Sequence, residues 1–196
     1  LAVGCGGGGG GTSTLVANLP GIAALDGMVR SDGVVLWDGG GPLTGDLESQ
    51  AIGRWSRQFY AFDRSPVPAG ATIVSAILQL YQEDVIGNPY DSHGDIAVDY
   101  LDYGPSLNAG DYSLAAIEAD FGTISTSATI GWKTLDVTTQ VRDALGAGGF
   151  PDVSLQQGDL LRAGQDMLPL LEQELAVVYQ QALGKPEKHR MLSLRG

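Results

Sequence analysis

Two histidines, His93 and His189, are the side chains of this sequence best suited to acid–base chemistry near neutral pH. His189 lies in a basic stretch near the end of the sequence, so a Ser-His-Asp arrangement would have to use His93. His93 sits in "PYDSHGD", where turn-forming residues predict an exposed loop. The sequence has no G-x-S-x-G motif, no phosphate-binding glycine loop and no Cys/His set of metal ligands. We therefore expect no catalytic residue and a protein that is not an enzyme.

Carboxylates dominate the charged residues, with 23 Asp and Glu against 11 Lys and Arg and a formal net charge of −12. This charge repels phosphate backbones and anionic lipids, so a nucleic-acid partner is not expected. Asp91 and Asp95 share one predicted loop, and loop oxygens of this kind suit calcium. Because their spacing matches no known calcium motif, a metal site at these two residues stands beside the alternative of a solvated acidic surface. No other cofactor is expected.

Large aromatic side chains could bind a sugar, because sugar rings stack on exposed flat faces. The sequence has three Trp and seven Tyr, and most of them lie on predicted strands where alternation favours burial. Tyr90 and Tyr103 fall at predicted strand edges, and they are the candidates for glycan contact.

The stretch "LAVGC" resembles the lipobox of bacterial lipoproteins, in which a cysteine is acylated and becomes the mature N-terminus. Cys5 is therefore the predicted lipidation site, and the glycines from Gly6 to Gly11 would form a flexible tether. The alternative is a chance cysteine in a low-complexity leader. Membrane contact is expected only through this anchor, because no stretch is long and apolar enough to span a bilayer.

Period-two alternation marks the strands. In Thr72 to Gln82 it places Val74, Ala76, Leu78 and Leu80 on one face, and Gly94 to Gly104 repeats the pattern. A further strand is predicted over 133–137, followed by a short helix over about 139–145 with the threonine at position 138 as its N-cap. Strands separated by turn-rich loops predict an all-β fold, an antiparallel jelly-roll-like β-sandwich with one short helix.

An apolar, β-capable segment precedes this region, with extended pieces predicted around 14–18 and 22–25. Such a segment could insert into the sheet of a neighbouring subunit, which would produce a homo-oligomer or a fibre. The alternative is that it forms the first strand of its own sandwich. The candidate subunit contacts are Leu15, Val16, Ala17, Leu19 and Ile22.

Four parts are predicted along the chain. Residues 1–13 are the lipobox-like end of a signal and its tether, 14–25 the apolar segment, 26–183 the sandwich domain, and 184–196 a basic tail expected to be disordered.

Three stretches, Gly53–Gln82, Asn88–Gly104 and Gly131–Leu145, resemble the DNRLRE-type domain of bacterial surface proteins. The resemblance implies a jelly-roll sandwich related to carbohydrate-binding modules. It ends in Leu155–Glu172, where a helix over 158–171, a rewritten hairpin and unreliable sequence all remain open, and Glu174–Gln180 has the pattern of a closing strand. The matching residues of the first stretch are Phe62, Asp63, Pro68, Ala69, Gly70, Ser75, Ala76, Leu78, Leu80 and Tyr81.

These observations predict a non-catalytic, extracellular structural or adhesive module at the bacterial surface, secreted or lipid-anchored. Its N-terminal segment could let it self-assemble into fibres. The alternative is a carbohydrate-binding module with a polysaccharide partner, and an exposed pair of aromatics beside polar side chains would favour it.

Overall fold

The computed structural model describes residues 12–37, 43–46, 54–147, 153–157 and 167–182 of the chain. Most of these residues form antiparallel strands, which confirms the predicted all-β, sandwich-like fold. The strands are β1 (Thr12–Leu19), β2 (Gly27–Arg30), β3 (Val35–Trp37), β4 (Leu43–Asp46), β5 (Trp55–Tyr60), β6 (Thr72–Gln82), β7 (Ile96–Tyr100), β8 (Glu118–Ser125), β9 (Gly131–Asp136), β10 (Val153–Gln157) and β11 (Met167–Ala182). The helices are α1 (Pro89–Ser92), the 3-10 turn Ala109–Ser113 and α2 (Thr138–Ala147).

The first sheet has the order β1-β11-β6-β9. The second has the order β3-β2-β5-β10-β7-β8, and β4 lies beside the start of β5. Strand β11 joins the two sheets. Its first residues, Met167–Pro169, pair with β4, and the stretch from Leu170 to Gln180 pairs with β6.

Two clusters of buried apolar side chains form the core. The larger cluster includes Leu19 of β1, Leu78 of β6 and Leu175 of β11, all 1% exposed. The smaller cluster surrounds Phe59 and Leu101, which are fully buried. Full burial of such a side chain stabilises the fold by about 1.5–3 kcal/mol. Strand β1 therefore contributes directly to the stability of the sandwich.

A β-bulge in β6 changes the faces that simple alternation predicts. Val178 pairs with Ser75 and the next residue of β11 pairs with Ile73, so Val74 is the extra residue. As a result Ile73 is 5% exposed and Val74 is 43% exposed. The prediction that Val74 shares the inner face of Ala76 was wrong for this reason.

Helix α2 begins at Thr138, so this threonine does not serve as the N-cap. Its hydroxyl instead accepts a hydrogen bond from the Ala76 amide, 2.9 Å away, and donates one to Asp136. These bonds hold the start of the helix against β6, the strand on which it packs.

The N-terminal segment differs from its predicted form in two ways. Strand β1 pairs with β11 in the same chain, so the sandwich includes residues before the predicted boundary at Asp26. The piece predicted to be extended over 22–25 is a turn, in which the amides of Leu25 and Asp26 donate to the Ile22 carbonyl. Pro20 separates the two pieces, because proline lacks an amide hydrogen for a sheet.

The C-terminal region contains the predicted closing strand within β11. Residues 153–157 and 167–171 are also strands, so a helix reaching residue 171 is excluded. Residues Leu43–Asp46 form β4, which pairs with β5 and with the first residues of β11. The predictions for Cys5, the glycine tether over 6–11 and the tail over 184–196 lie outside the described residues.

The bulge makes a testable prediction about neighbouring side chains. We expect Ile73→Ala to lower the free energy of unfolding by about 2–5 kcal/mol because it leaves a cavity in the core. Val74→Ala should change it by less than about 0.5 kcal/mol because Val74 is exposed. Urea denaturation of both variants measures the difference, and a larger loss for Val74→Ala would contradict the bulge.

Candidate functional site

His93 is buried rather than exposed, contrary to the sequence-based expectation. It is 3% exposed, and its ring meets Trp55 edge to face with a centroid distance of 4.9 Å. Its backbone amide donates to the Pro89 carbonyl and ends α1. The side chain therefore packs between α1 and β5. The turn-forming residues around His93 predicted exposure because they carry no information about this contact with Trp55.

The two candidate metal ligands lie on either side of His93. Asp91 is in α1 and Asp95 directly precedes β7, and both are exposed. Within the described ranges, no group of three or more His, Cys, Asp and Glu residues could hold a metal ion. A calcium site at Asp91 and Asp95 stays a prediction.

Tyr90 is half-buried, and its hydroxyl belongs to a polar network inside the sandwich. It donates to Oε1 of Gln82 at 2.6 Å and lies 2.6 Å from the hydroxyl of Ser125. Gln82 is fully buried and also donates to the carbonyls of Ser127 and Thr129. Burial raises the pKa of Tyr90 above its usual value. The network ties α1 and the β8–β9 connection to β6.

Tyr103, the second glycan candidate, is a core residue. It is 6% exposed, its hydroxyl donates to the Leu25 carbonyl at 3.1 Å, and its ring meets Phe59 edge to face. Since only 6% of Tyr103 is exposed, it offers no open ring face on which a sugar could stack.

A buried ion pair joins Arg57 of β5 to Asp99 of β7, with 2.6 Å between Nη2 and Oδ2. Arg57 also donates to the Tyr112 carbonyl, and Asp99 accepts from the Asp120 amide. These bonds connect the 3-10 turn Ala109–Ser113 to β5 and strand β8 to β7. Burial lowers the pKa of Arg57. Because each side chain also forms a hydrogen bond with the backbone, we assign the ion pair a structural role.

The outer edge of β1 is open. Strand β1 pairs with β11 from Thr12 to Leu19, and no strand of the described ranges pairs with its other edge. This edge carries no charged residue, and Leu15 and Val16 are 43% and 68% exposed. Natural proteins usually protect such an edge with charges, proline or bulges. Ala17 and Leu19 point into the core, whereas Ile22 lies in the following turn.

The opposite edge of the first sheet, strand β9, carries charged residues. Strand β9 carries Lys133 and Asp136. The Leu135 side chain of β9 also packs closely on Gly122 of β8. A Cβ atom added to Gly122 would lie only 2.8 Å from Cδ1 of Leu135. Among the described strands β9 also has no second partner, but its charged residues make it a less favourable edge for a further strand than the uncharged β1.

One aromatic pair lies on the outer face of the same sheet. Tyr81 and Trp132 are opposite each other on β6 and β9, with centroids 5.4 Å apart and rings at 74°. Gln79 and Thr134 form the next pair on this face. Trp132 is 47% exposed, so one indole ring is accessible beside an amide and a hydroxyl. Sequence reasoning missed this pair because the register of β6 and β9 was unknown.

No helix among the described residues has the length and apolar character needed to cross a membrane.

The Tyr90 network makes a prediction that separates a structural tyrosine from a ligand-binding one. Tyr90→Phe should lower the free energy of unfolding by about 1–2 kcal/mol, because the buried Gln82 loses a donor. Urea denaturation measures this loss, with Tyr81→Phe as the exposed-face control. If Tyr90→Phe were as stable as the unmodified chain, the network would not support the fold.

No family model matches the chain, and a comparison with curated proteins gives no significant match. The similarity to the DNRLRE-type domain stays a prediction.

Proposed function

We propose that this chain is a non-catalytic structural or adhesive module of the bacterial surface that associates with further copies through the open edge of β1. One observation carries the proposal: an eight-residue, uncharged edge strand with exposed Leu15 and Val16. An edge of this kind offers main-chain donors and acceptors to a further strand.

Charge supports contact at this particular edge. Two copies, each with a formal net charge of −12, repel one another over most of their surfaces. The neutral edge of β1 lets the copies approach with little local repulsion, and salt should promote association because it screens the remaining charge.

The geometry favours a closed dimer over an open fibre. Two β1 edges related by a two-fold axis pair with each other and use up both open edges. A fibre would need β1 of one copy to pair with β9 of the next, and β9 carries Lys133 and Asp136. The fibre expected from the sequence therefore becomes the less favoured arrangement.

The surface location is supported by the sequence. The lipobox-like stretch ending in Cys5 and the following glycines would anchor and extend the module. Lipidation of Cys5 and secretion stay predictions. The packing of His93 against Trp55 supports the non-catalytic part of the proposal, because that imidazole is enclosed by the fold.

A charge placed on the β1 edge should prevent association. We expect Val16→Lys to shift the protein from dimer to monomer, because the lysine must be desolvated where two edges meet. Ile117→Lys is the matched control, since Ile117 is 63% exposed and lies outside the first sheet. Multi-angle light scattering over a range of protein and salt concentrations measures the mass. A monomer for the unmodified chain at every concentration would contradict the proposal.

A pair of introduced cysteines would distinguish edge pairing of β1 from exchange of β1 between copies. Val16 lies opposite Val178, so a disulfide in Val16→Cys/Val178→Cys, with Cys5→Ser, would hold β1 in its own chain. Edge pairing predicts that the oxidised variant still dimerises. Loss of the dimer on oxidation alone would show that β1 is exchanged between copies, which contradicts edge pairing.

The aromatic pair on the outer face supports carbohydrate binding as a second candidate. Perpendicular rings do not make one flat platform, but the exposed indole of Trp132 offers one stacking face beside Gln79 and Thr134.

Glycan-array binding, with and without calcium, tests this second candidate. If a polysaccharide binds, Trp132→Ala should weaken binding by about tenfold or more, because the stacking face is lost. Ile130→Ala is the control, since Ile130 is 50% exposed and nearby. Absence of any bound glycan, or equal binding by both variants, would contradict this candidate.

A further inference from the structure

We propose that an open cleft at the start of helix α2 binds a small zwitterion of the α-amino-acid type. The cleft has a volume of about 500 Å³, which is in the range of small-molecule sites. It lies where α2 meets strands β6, β8 and β9, and its lining includes the opposite charges of Asp136 and Arg142. Strand β1 contributes no residue to this lining, so the proposal is independent of association through β1.

The carboxylate of Asp136 is held by one of its two oxygens. Oδ1 accepts hydrogen bonds from the amide and the hydroxyl of Thr138, at 2.9 and 2.6 Å. These bonds lower the pKa of Asp136 below its usual value, and the charge of Arg142 lowers it further. The side chain is therefore ionised near neutral pH. Because both bonds end on Oδ1, Oδ2 is left to accept from a ligand.

The guanidinium of Arg142 is held in a similar way by the bulge in β6. Its Nε and Nη2 atoms donate to the Ile73 carbonyl at 3.0 and 2.9 Å, and Nη2 also donates to the Val74 carbonyl at 3.0 Å. These bonds use three of the five guanidinium N–H groups and leave the two of Nη1. A guanidinium held in place loses little entropy when it binds a carboxylate.

The two charges lie near each other without forming an ion pair. Arg142 lowers the pKa of Asp136 by its charge, yet no ion pair joins these two described residues. A ligand with a single charge would be attracted by one of them and repelled by the other. An α-amino acid carries both charges on neighbouring groups, so its ammonium group can bind Asp136 while its carboxylate binds Arg142.

Other lining residues fit the remainder of such a ligand. The hydroxyls of Ser75 and Thr139 can donate to its carboxylate or accept from its ammonium group. Val74, which is 43% exposed, and the half-buried Phe121 offer apolar surface to an aliphatic side chain. Leucine combines the two charges with such a side chain, and it is therefore the probe.

Amide NMR titration of the full chain with L-leucine at neutral pH tests the proposal. We expect leucine to shift the amide signals of Thr139 and Gln140. Leucinamide, which lacks the carboxylate, and N-acetylleucine, which lacks the ammonium group, should each bind about tenfold more weakly or worse. This comparison uses the unmodified chain, so it does not depend on the folding of a variant.

Asp136→Asn tests the role of the carboxylate, because the amide oxygen of asparagine can still accept from Thr138. The variant should bind leucine about tenfold more weakly and N-acetylleucine more tightly, since the charge that repels a carboxylate is gone. Asp63→Asn is the matched control. Asp63 accepts from the amide and hydroxyl of Ser65, two residues further on, but lies outside the cleft, so this change should leave binding unaltered.

Three results would overturn the proposal: no shifts with leucine, equal binding of leucine and its two analogues, or leucine binding by Asp136→Asn as tight as by the unmodified chain. Weaker binding of both leucine and N-acetylleucine by Asp136→Asn would also contradict it, because it would show that Asp136 only supports the fold of the cleft. Because binding is measured from individual amide signals and not from protein mass, its failure leaves association through β1 unaffected.

Discussion

The pairing of β11 with its neighbours is the interaction on which the rest of this structure depends. Strand β11 pairs with β4 at one end and with β6 and β1 along the remainder, so one strand belongs to both sheets. It also contributes Leu175 and Val177 to the core. The position of β1, and with it the open edge, follows from this strand, because β1 has no other partner among the described strands. The apolar N-terminal segment, which could have paired with another subunit, therefore pairs within its own chain.

The bulge at Val74 organises the other side of the same sheet. By adding one residue to β6 it turns Ile73 inward and leaves two carbonyls for Arg142 of α2. At the helix start, Thr138 bonds to the Ala76 amide of β6. The helix is thus fixed to the strand at two points.

The strands were predictable from sequence to the extent that local alternation determines them. Strand β6 has the predicted bounds, because an alternating run between turn residues is a local signal. The exposure of Val74 was not predictable, since a bulge arises from the register with β11. Burial of His93 likewise depends on its contact with Trp55, which is distant in sequence. Alternation predicted that most of the aromatic residues lie on strands, but only strand pairing brings Tyr81 beside Trp132.

Amide hydrogen exchange in β1, measured as a function of protein concentration, tests the central claim most directly. Amides of an antiparallel edge strand point alternately to the neighbouring strand and outward. The account predicts that, on concentration, alternate amides between Thr12 and Leu19 gain protection while those already bonded to β11 keep theirs. Exchange rates in β1 that do not depend on concentration would show that this edge joins no second copy, and would contradict the account.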